Sequence, residues 1–507
     1  VIFIIGLGPG DPNLLTREAW DLLQRAPRVH LRTRRHPTVA GLPPGVKLSA
    51  FDSLYARADD FEQVYDAIAA KIVAAAQRAA KKGEDVFYAV PGHPLVGERS
   101  VRLILARAAA AGVPTRIVGG LSFVEPVLEV LAAHGRLSPT DDPMARLQLS
   151  DALDLARLHH PPLDPDRPAL VAQIFSRTVA SDVKLTLLNQ YPPAHEVLVV
   201  RAAADDAASP AGACRAVPLA ELDHDQRFDH LTSLYIPALP GVTSFEGFQE
   251  TIAHLRAPEG CPWDREQTHQ SLRGTLLEEC YEVLTALDED DMDALREELG
   301  DLLMNLVMQV QIATEEEVFR MTDVIADVDA KLKRRHPHVF GAEHFKDSDE
   351  VLVNWYAIKA AEKAAKAAKG RAAVDDSALA GVAPALPALA QAQKFAHRAH
   401  RAGFRWEDRE KRYHKVLEEL EEVRSARDDA HRREEFGDLL FSIAYWADGF
   451  DIDVETASRD ANLKFARRFR ALERIVREQG RTMPEMSEAE LLAAWRAVKR
   501  VERPADS

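Results

Sequence analysis

Cysteine is nearly missing: 507 residues hold three, Cys214, Cys261 and Cys280, with no Cys-x-x-Cys pair. That argues against a disulfide framework and a structural zinc site, and fits a reducing, cytoplasmic setting. No apolar run is long enough to cross a bilayer. The opening run, VIFIIGLGPG, has five apolar residues before Gly6 and no basic flank, so it reads as neither signal peptide nor membrane span. The first residue is not Met, so a trimmed start is expected. A surplus of positive charge is also missing. Lys and Arg number 64 against 80 Asp and Glu, a net charge of −16. This argues against a general nucleic-acid or anionic-membrane binder. A phosphate substrate stays open, because a cation can neutralise both partners locally.

What is present is a folding chain, 46% hydrophobic and 28% charged, with a length that suggests about three domains. Residues 1 to about 240 read as mixed α/β. The runs VIFIIGLG, DVFYAVPG, TRIVGG, ALVAQIF, EVLVVRA and TSLYIP alternate with helical segments such as TREAWDLLQRA. Apolar strands separated by helices predict largely buried sheets with covering helices. HHPPLDPDRP, at 159–168, is the expected seam between two lobes. From about 243 onward helical patterns dominate. The alanine-rich stretch 357–393 carries a helix extension and then Gly, Asp-Asp-Ser and Pro, which read as a linker.

The helical half repeats itself about 140 residues apart. CPWDREQ has a faint counterpart in FRWEDRE, pairing Trp263 with Trp406. LLEECYEV pairs with VLEELEEV, and EELGDLLMNL with EEFGDLLFSI. VDAKLKRRHPHV pairs with ANLKFARRFRAL, aligning Lys331 with Lys464 and Arg335 with Arg468. NWYAIK pairs with AWRAVK, aligning Trp355 with Trp495. Five blocks in one order are hard to assign to chance.

Each copy concentrates carboxylates. Glu278, Glu279 and Glu282 share one arc of a helix whose apolar face is Leu276, Cys280, Val283, Leu284 and Leu287. Glu298, Asp301 and Asn305 sit beside Leu299, Leu302, Leu303, Leu306 and Val310 on the next. The fifteen residues between Glu282 and Glu298 allow a helix end, a turn at DEDD 288–291 and an antiparallel return. In the second copy Glu418, Glu419 and Glu422 are followed, after twelve residues, by Glu435 and Asp438. A lone acidic turn is usually a solvated face. Recurrence, and the scarcity of Lys or Arg four residues on, favours a built site. Clustered carboxylates suit a hard divalent cation such as Mg²⁺, and no His or Cys cluster competes for a softer one. Lys331, Arg334 and Arg335, and Lys464, Arg467 and Arg468, follow at a distance that fits a third helix contacting substrate phosphates.

The order EExxE, spacer, ExxD, then KLKRRHPHVF and W-x-x-I-K, with GCPWDREQTHQSL before it, resembles the MazG-type nucleoside triphosphate pyrophosphohydrolases. The resemblance covers about 243–360 and again about 385–500. It implies an all-α fold, dimeric bundle pairing and Mg²⁺-dependent hydrolysis of nucleoside triphosphates to monophosphate and pyrophosphate, with Mn²⁺ as an alternative ion. The implied ligands are Glu279, Glu282, Glu298 and Asp301, then Glu419, Glu422, Glu435 and Asp438. Glu278 and Glu418 are the candidates to orient water, with Lys331, Arg335, Lys464 and Arg468 neutralising developing charge. The second copy lacks the CPWD and HPHVF blocks.

GLGPGDPNLLT, at 6–16, reads either as a phosphate loop or as a tight βα turn with Thr16 capping a helix. With YAVPGHPLVGERSV (88–101) and VGGLSF (118–123) it resembles the tetrapyrrole methylases, and specifically YabN-like proteins that join such a domain to MazG modules. QIFSRTVASDVKLTLL and DHLTSLYIP fit the same subgroup. The resemblance implies an S-adenosylmethionine cleft between two α/β lobes, lined by Pro9, Gly92, His93, Pro94, Val96, Ser122 and Phe123. His93 stands where many porphyrinoid methylases carry an acid, and GGLSF replaces a PGVSS-like turn.

The expected architecture is multidomain: a two-lobed α/β domain at 1–240, an all-α module at 243–362, a linker at 363–385 and a second all-α module at 386–507. The leading expectation is a cytoplasmic, dimeric nucleoside triphosphate pyrophosphohydrolase that binds neither nucleic acid nor membrane. The alternatives are a methyltransferase with regulatory helical modules and a non-catalytic scaffold.

Overall fold

The computed structural model describes residues 1–55, 61–137, 144–201, 213–224, 227–368, 377–404 and 408–501. Trp406, residues 369–376 of the expected linker and residues 502–507 lie outside them. The chain forms two compact units, Val1–Val328 and Asp329–Ser507.

The first unit begins with a parallel sheet in the order β3-β2-β4-β1-β5. Its strands are β1 (Ile2–Gly6), β2 (Arg28–Leu31), β3 (Lys47–Ala50), β4 (Val86–Val90) and β5 (Thr115–Val118). In register, Ile2 lies between Val86 and Thr115. The apolar run of β1 is explained by burial on both faces. Ile2 and Ile4 pack with α2 (Phe61–Ala80) and α3 (Arg99–Ala110) through Ile68, Ile72 and Ile104. Ile5 and Leu7 pack on the other face against Leu22 and Leu23 of α1, whose range is Arg17–Arg25. Burying each such side chain is worth roughly 1.5–3 kcal/mol. Thr16 caps α1, accepting from Ala19 N at 3.2 Å.

The second sheet has the order β6-β7-β10-β8-β9, with β6 and β7 parallel and the other pairs antiparallel. It contains β6 (Gln148–Asp151), β7 (Ala169–Ala172), β8 (Glu196–Arg201), β9 (Cys214–Pro218) and β10 (Thr232–Ile236). The helix after β5, α4 (Val124–Ala133), lays Val124, Val127 and Leu131 on this second sheet. The changeover between sheets therefore follows β5, and 159–168 is an internal connection from β6 to β7 rather than the seam. Proline marked a loop there without saying which loop parts the lobes. Strands β2, β3, β6 and β9 escaped the sequence reading because they are short and carry polar residues.

The first unit continues into helices α5 (Phe245–Arg256), α6 (Arg273–Asp288) and α7 (Met292–Glu315). Asp166 anchors the start of α5 by accepting from Thr243 and Ser244, and those bonds hold it near 2 against the upward push of burial. Residues 289–291 turn α6 into α7, and Asp291 caps α7 by accepting from Asp293 N and Ala294 N. The small core here is Ile252, Leu272, Val307, Met308 and Ile312. Much of the expected apolar face stays on the surface instead: Leu287, Leu299 and Leu306 are 50%, 48% and 49% exposed.

Helix α8 (Met321–Arg335) crosses the boundary into the second unit. That unit is helical, with α9 (Ser348–Ala368), α10 (Ala388–Arg401), α11 (Arg409–Ser425), α12 (Asp429–Asp448), α13 (Val454–Glu478) and α14 (Glu488–Val501). Its core includes Leu472, Val476 and Val498. Among the described residues, no helix is long and apolar enough to cross a membrane.

Candidate functional site

The α6–α7 pair brings Glu279, Glu282 and Glu298 together, with one carboxylate oxygen of each within 4.8 Å of the others. Glu279 and Glu282 are one turn apart on α6, and the three-residue connection aligns Glu298 opposite them. Glu279 is 9% exposed, and its buried Oε2 has no hydrogen-bond partner. Burial pushes its carboxyl above the ordinary range, and Asp301, Glu282 and Glu298 push it further. Burial also raises Glu298, with Glu282, Glu297 and Asp301 adding to it. Asp301 thus faces the cluster although it lies outside the tight group. Glu278 is exposed.

The α11–α12 pair repeats the arrangement with Glu419, Glu422 and Glu435. Glu422 is raised by burial and by its hydrogen-bonded neighbour Glu419, with Glu435 contributing. Asp438 is exposed and stands outside this group. The second cluster differs in its partners. Lys415 Nζ lies 2.8 Å from both Glu418 and Glu419, and these bonds raise its basicity well above that of an ordinary lysine. His431 Nε2 lies 2.9 Å from Glu435. The sequence reading missed Lys415 and His431, although each stands four residues before a cluster glutamate, at helical contact spacing.

An orphaned buried oxygen and carboxylates that raise one another's proton affinity are groups lacking positive charge. The donor set is all oxygen, which fits a hard divalent cation such as Mg²⁺. The predicted phosphate-binding residues are placed differently from one another. Arg334 and Arg335 bond Glu362, at 2.6 and 2.7 Å, and hold it near 2. Arg335 also lies over the Trp355 ring. Lys331 is exposed on α8, and Lys464 is exposed on α13 with Arg468 half-buried one turn on.

A different site lies at the carboxyl ends of β1 and β4. The chain leaves these neighbouring strands toward opposite faces of the sheet, which opens a crevice of the kind that binds ligands in α/β folds. Gly8 and Gly92 bridge its floor, and Gly92 has a φ of 64° that favours glycine. A Cβ on Gly6 would stand 2.6 Å from Gly92 O, so these loops pack backbone to backbone. The crevice opens into a cavity of about 690 Å³ reaching the second sheet. Of the predicted cofactor residues, Pro9, Gly92, Val96 and Phe123 line it, and His93, Pro94 and Ser122 do not. Ser122 is buried, donating to Glu125, while His93 Nδ1 accepts from Leu95 N. The cavity and its apolar rim fit a cofactor of the size of S-adenosylmethionine.

The sequence reading did not foresee the polar wall. Arg32 bonds Glu98 at 2.6 Å and both the Tyr55 and Tyr65 hydroxyls. Glu98 is 2% exposed. His36 is buried on the same wall, with Nδ1 unpartnered. Burial, then His230 and Arg32, lowers it to about 4.

A methylase-type α/β cleft joined to helix pairs presenting carboxylates defines a two-part chain. Family models agree: residues 1–207 match the tetrapyrrole (corrin/porphyrin) methylases and 267–340 the MazG nucleotide pyrophosphohydrolase domain. The chain belongs to the YabN family, being 38% identical to YabN of Bacillus subtilis over 99% of each chain. Half of it is also 40% identical to the nucleoside triphosphate pyrophosphohydrolase/pyrophosphatase MazG of Thermotoga maritima, covering 95% of that protein. The nucleoside triphosphate pyrophosphohydrolase of Escherichia coli is 43% identical, with 50% of this chain and 95% of that one covered.

Proposed function

We propose that this chain is a Mg²⁺-dependent nucleoside triphosphate pyrophosphohydrolase that controls or cleans the cytoplasmic nucleotide pool. The observation that carries this is the recurring carboxylate triad, Glu279, Glu282 and Glu298, then Glu419, Glu422 and Glu435. The reading extends to two helical modules, at 243–362 and 386–507, after an α/β domain at 1–240 and around a linker at 363–385. Asp301 and Asp438 complete the ligand sets. The half-exposed apolar stripe through Leu287, Leu299 and Leu306 supports a homodimer paired through this face.

When bound, the cation offsets triphosphate charge and makes phosphorus a better electrophile. The chain's own residues set the geometry. The triad would hold the cation that gathers the phosphates, because its oxygens converge from two helices packed side by side. Glu278 and Glu418, beside the triads, orient the attacking water toward the α- or β-phosphorus. The Lys331–Arg335 and Lys464–Arg468 segments are the candidates to neutralise charge on the departing pyrophosphate. Lys415, 2.8 Å from Glu418 and Glu419, would be the nearby positive charge available to a phosphate oxygen if those carboxylates held a cation.

The test is a panel of ordinary and damaged triphosphates with Mg²⁺, read as monophosphate and pyrophosphate. Absence of both products from every member would remove this reading and favour a scaffold. The cavity supports a second activity, S-adenosylmethionine-dependent methyl transfer, which calorimetry tests; no binding at tens of micromolar removes it.

A further inference from the structure

The cavity wall carries more basic groups than its acids can use. Among the described residues, the three carboxylates that line it are all engaged. Asp52 accepts from Thr33 Oγ1 at 2.6 Å and Arg34 N at 3.0 Å. Glu98 holds Arg32. Asp229 accepts from Arg201 Nε at 2.7 Å and Leu231 N at 2.9 Å. Arg32 is spent on Glu98, Tyr55 and Tyr65. Arg35, His36 and His230 remain. Among the described residues, neither the Arg35 guanidinium nor the His230 ring makes a hydrogen bond or ion pair. His36 is 4% exposed, and its Nδ1 lacks a partner.

These three groups come from both lobes. Arg35 and His36 follow β2, and His230 precedes β10. Their mutual influence is direct, since His230 and Arg32 both disfavour a proton on His36. The same neighbours would favour an anion. A buried polar nitrogen without a partner costs free energy, and in the tautomer protonated at Nδ1 a hydrogen bond to an anion recovers it. Phe175 and Phe228 line the cavity as well, adding aromatic surface beside these groups.

We propose that Arg35, His36 and His230 form an oxyanion subsite that takes the phosphate or carboxylate of a small planar molecule, apart from the cofactor contacts at Pro9, Gly92 and Val96. The donor surplus stands without the hydrolase reading, and the test uses the full chain with a chelator so that the carboxylate clusters hold no cation to bridge an anion. Calorimetry would compare adenosine 5′-monophosphate, adenosine, citrate and S-adenosylhomocysteine. The nucleotide should bind roughly tenfold or more tightly than adenosine, the worth of charge-assisted bonds. Citrate binding in place of the nucleotide would assign the subsite to carboxylates. The double variant Arg35→Gln with His230→Gln changes two exposed side chains, so its fold is not at issue. It should lose the anion and keep S-adenosylhomocysteine. Unchanged anion affinity in the variant, or no anion binding to the parent at millimolar concentration, would overturn the proposal. Equal loss of S-adenosylhomocysteine would overturn it too, by showing that the basic groups serve the cofactor's own carboxylate. Failure of S-adenosylhomocysteine to bind the parent would count against the cofactor reading alone, and the anion arms would still decide the subsite.

Discussion

Neutralising Glu279 should act on stability in opposite directions with and without a divalent cation. In the metal-free chain Glu279 is a buried carboxylate beside Glu282 and Glu298, with one oxygen unpartnered. Glu279→Gln removes its repulsion with Glu282, worth about 0.2–0.5 kcal/mol for a pair at this helical spacing. The metal-free melting temperature should therefore hold or rise slightly. Glu419→Gln should do the reverse, because it discards the bond from Lys415, 2.8 Å away. After solvent screening that loss is about 1 kcal/mol. A cation at a hundred times its dissociation constant adds about 2.7 kcal/mol to the parent. At roughly 2–4 °C per kcal/mol this is a shift of about 5–10 °C. The double variant should lose that shift. Thermal melts followed by circular dichroism, with chelator and then with MgCl₂, would measure all four quantities. A double variant that keeps the full Mg²⁺ shift would refute the assignment of these carboxylates. So would a Glu279→Gln chain that melts well below the parent in chelator.

Glu282→Gln together with Glu422→Gln should abolish pyrophosphate release from triphosphates, measured by coupled phosphate detection; full activity would remove the metal-site reading. The pH dependence has a defined sign. Glu279, Glu298 and Glu422 hold protons above the ordinary carboxylate value of 4.5, so the metal-free clusters favour the fold below that value and lose the contribution as pH rises through the raised range. Mn²⁺ affinity should accordingly begin to fall above pH 4.5 on acidification, by calorimetry from pH 7 downward. Gly6→Ala should cost about 1–3 kcal/mol through backbone overlap and weaken S-adenosylhomocysteine binding, leaving pyrophosphate release intact. Arg32→Met should destabilise the α/β domain by about 3–5 kcal/mol, because Glu98 would be left buried without its partner; urea titration checks this, and Glu98→Gln added to it should recover part of the loss.

The carboxylate triads were legible because every step in their construction is local. Glu279 and Glu282 share a face by helix period, and a connection of three residues returns Glu298 to them. The β1 and β4 strands were equally plain, since both faces are buried and their sequences are continuously apolar. By contrast, Arg35, His36 and His230 carry no pattern. They come from separate loops in two lobes and meet only when the sheets are in place. The same holds for Glu98, whose burial depends on Arg32 arriving from β2, and for the changeover between lobes, which depends on which sheet α4 covers.

The sequence by itself therefore determined the two-part architecture and the grouping of Glu279 and Glu282 with Glu298 and of Glu419 and Glu422 with Glu435, which follow from periodicity within one or two elements, whereas Asp301 and Asp438 stand outside those groups. The tertiary structure alone decided which charges are compensated. Lys415 neutralises one cluster, Glu279 is left with an orphaned oxygen in the other, and among the described residues the cavity keeps basic groups without acceptors. Compensation depends on distance and burial across the fold, and neither can be read along the chain.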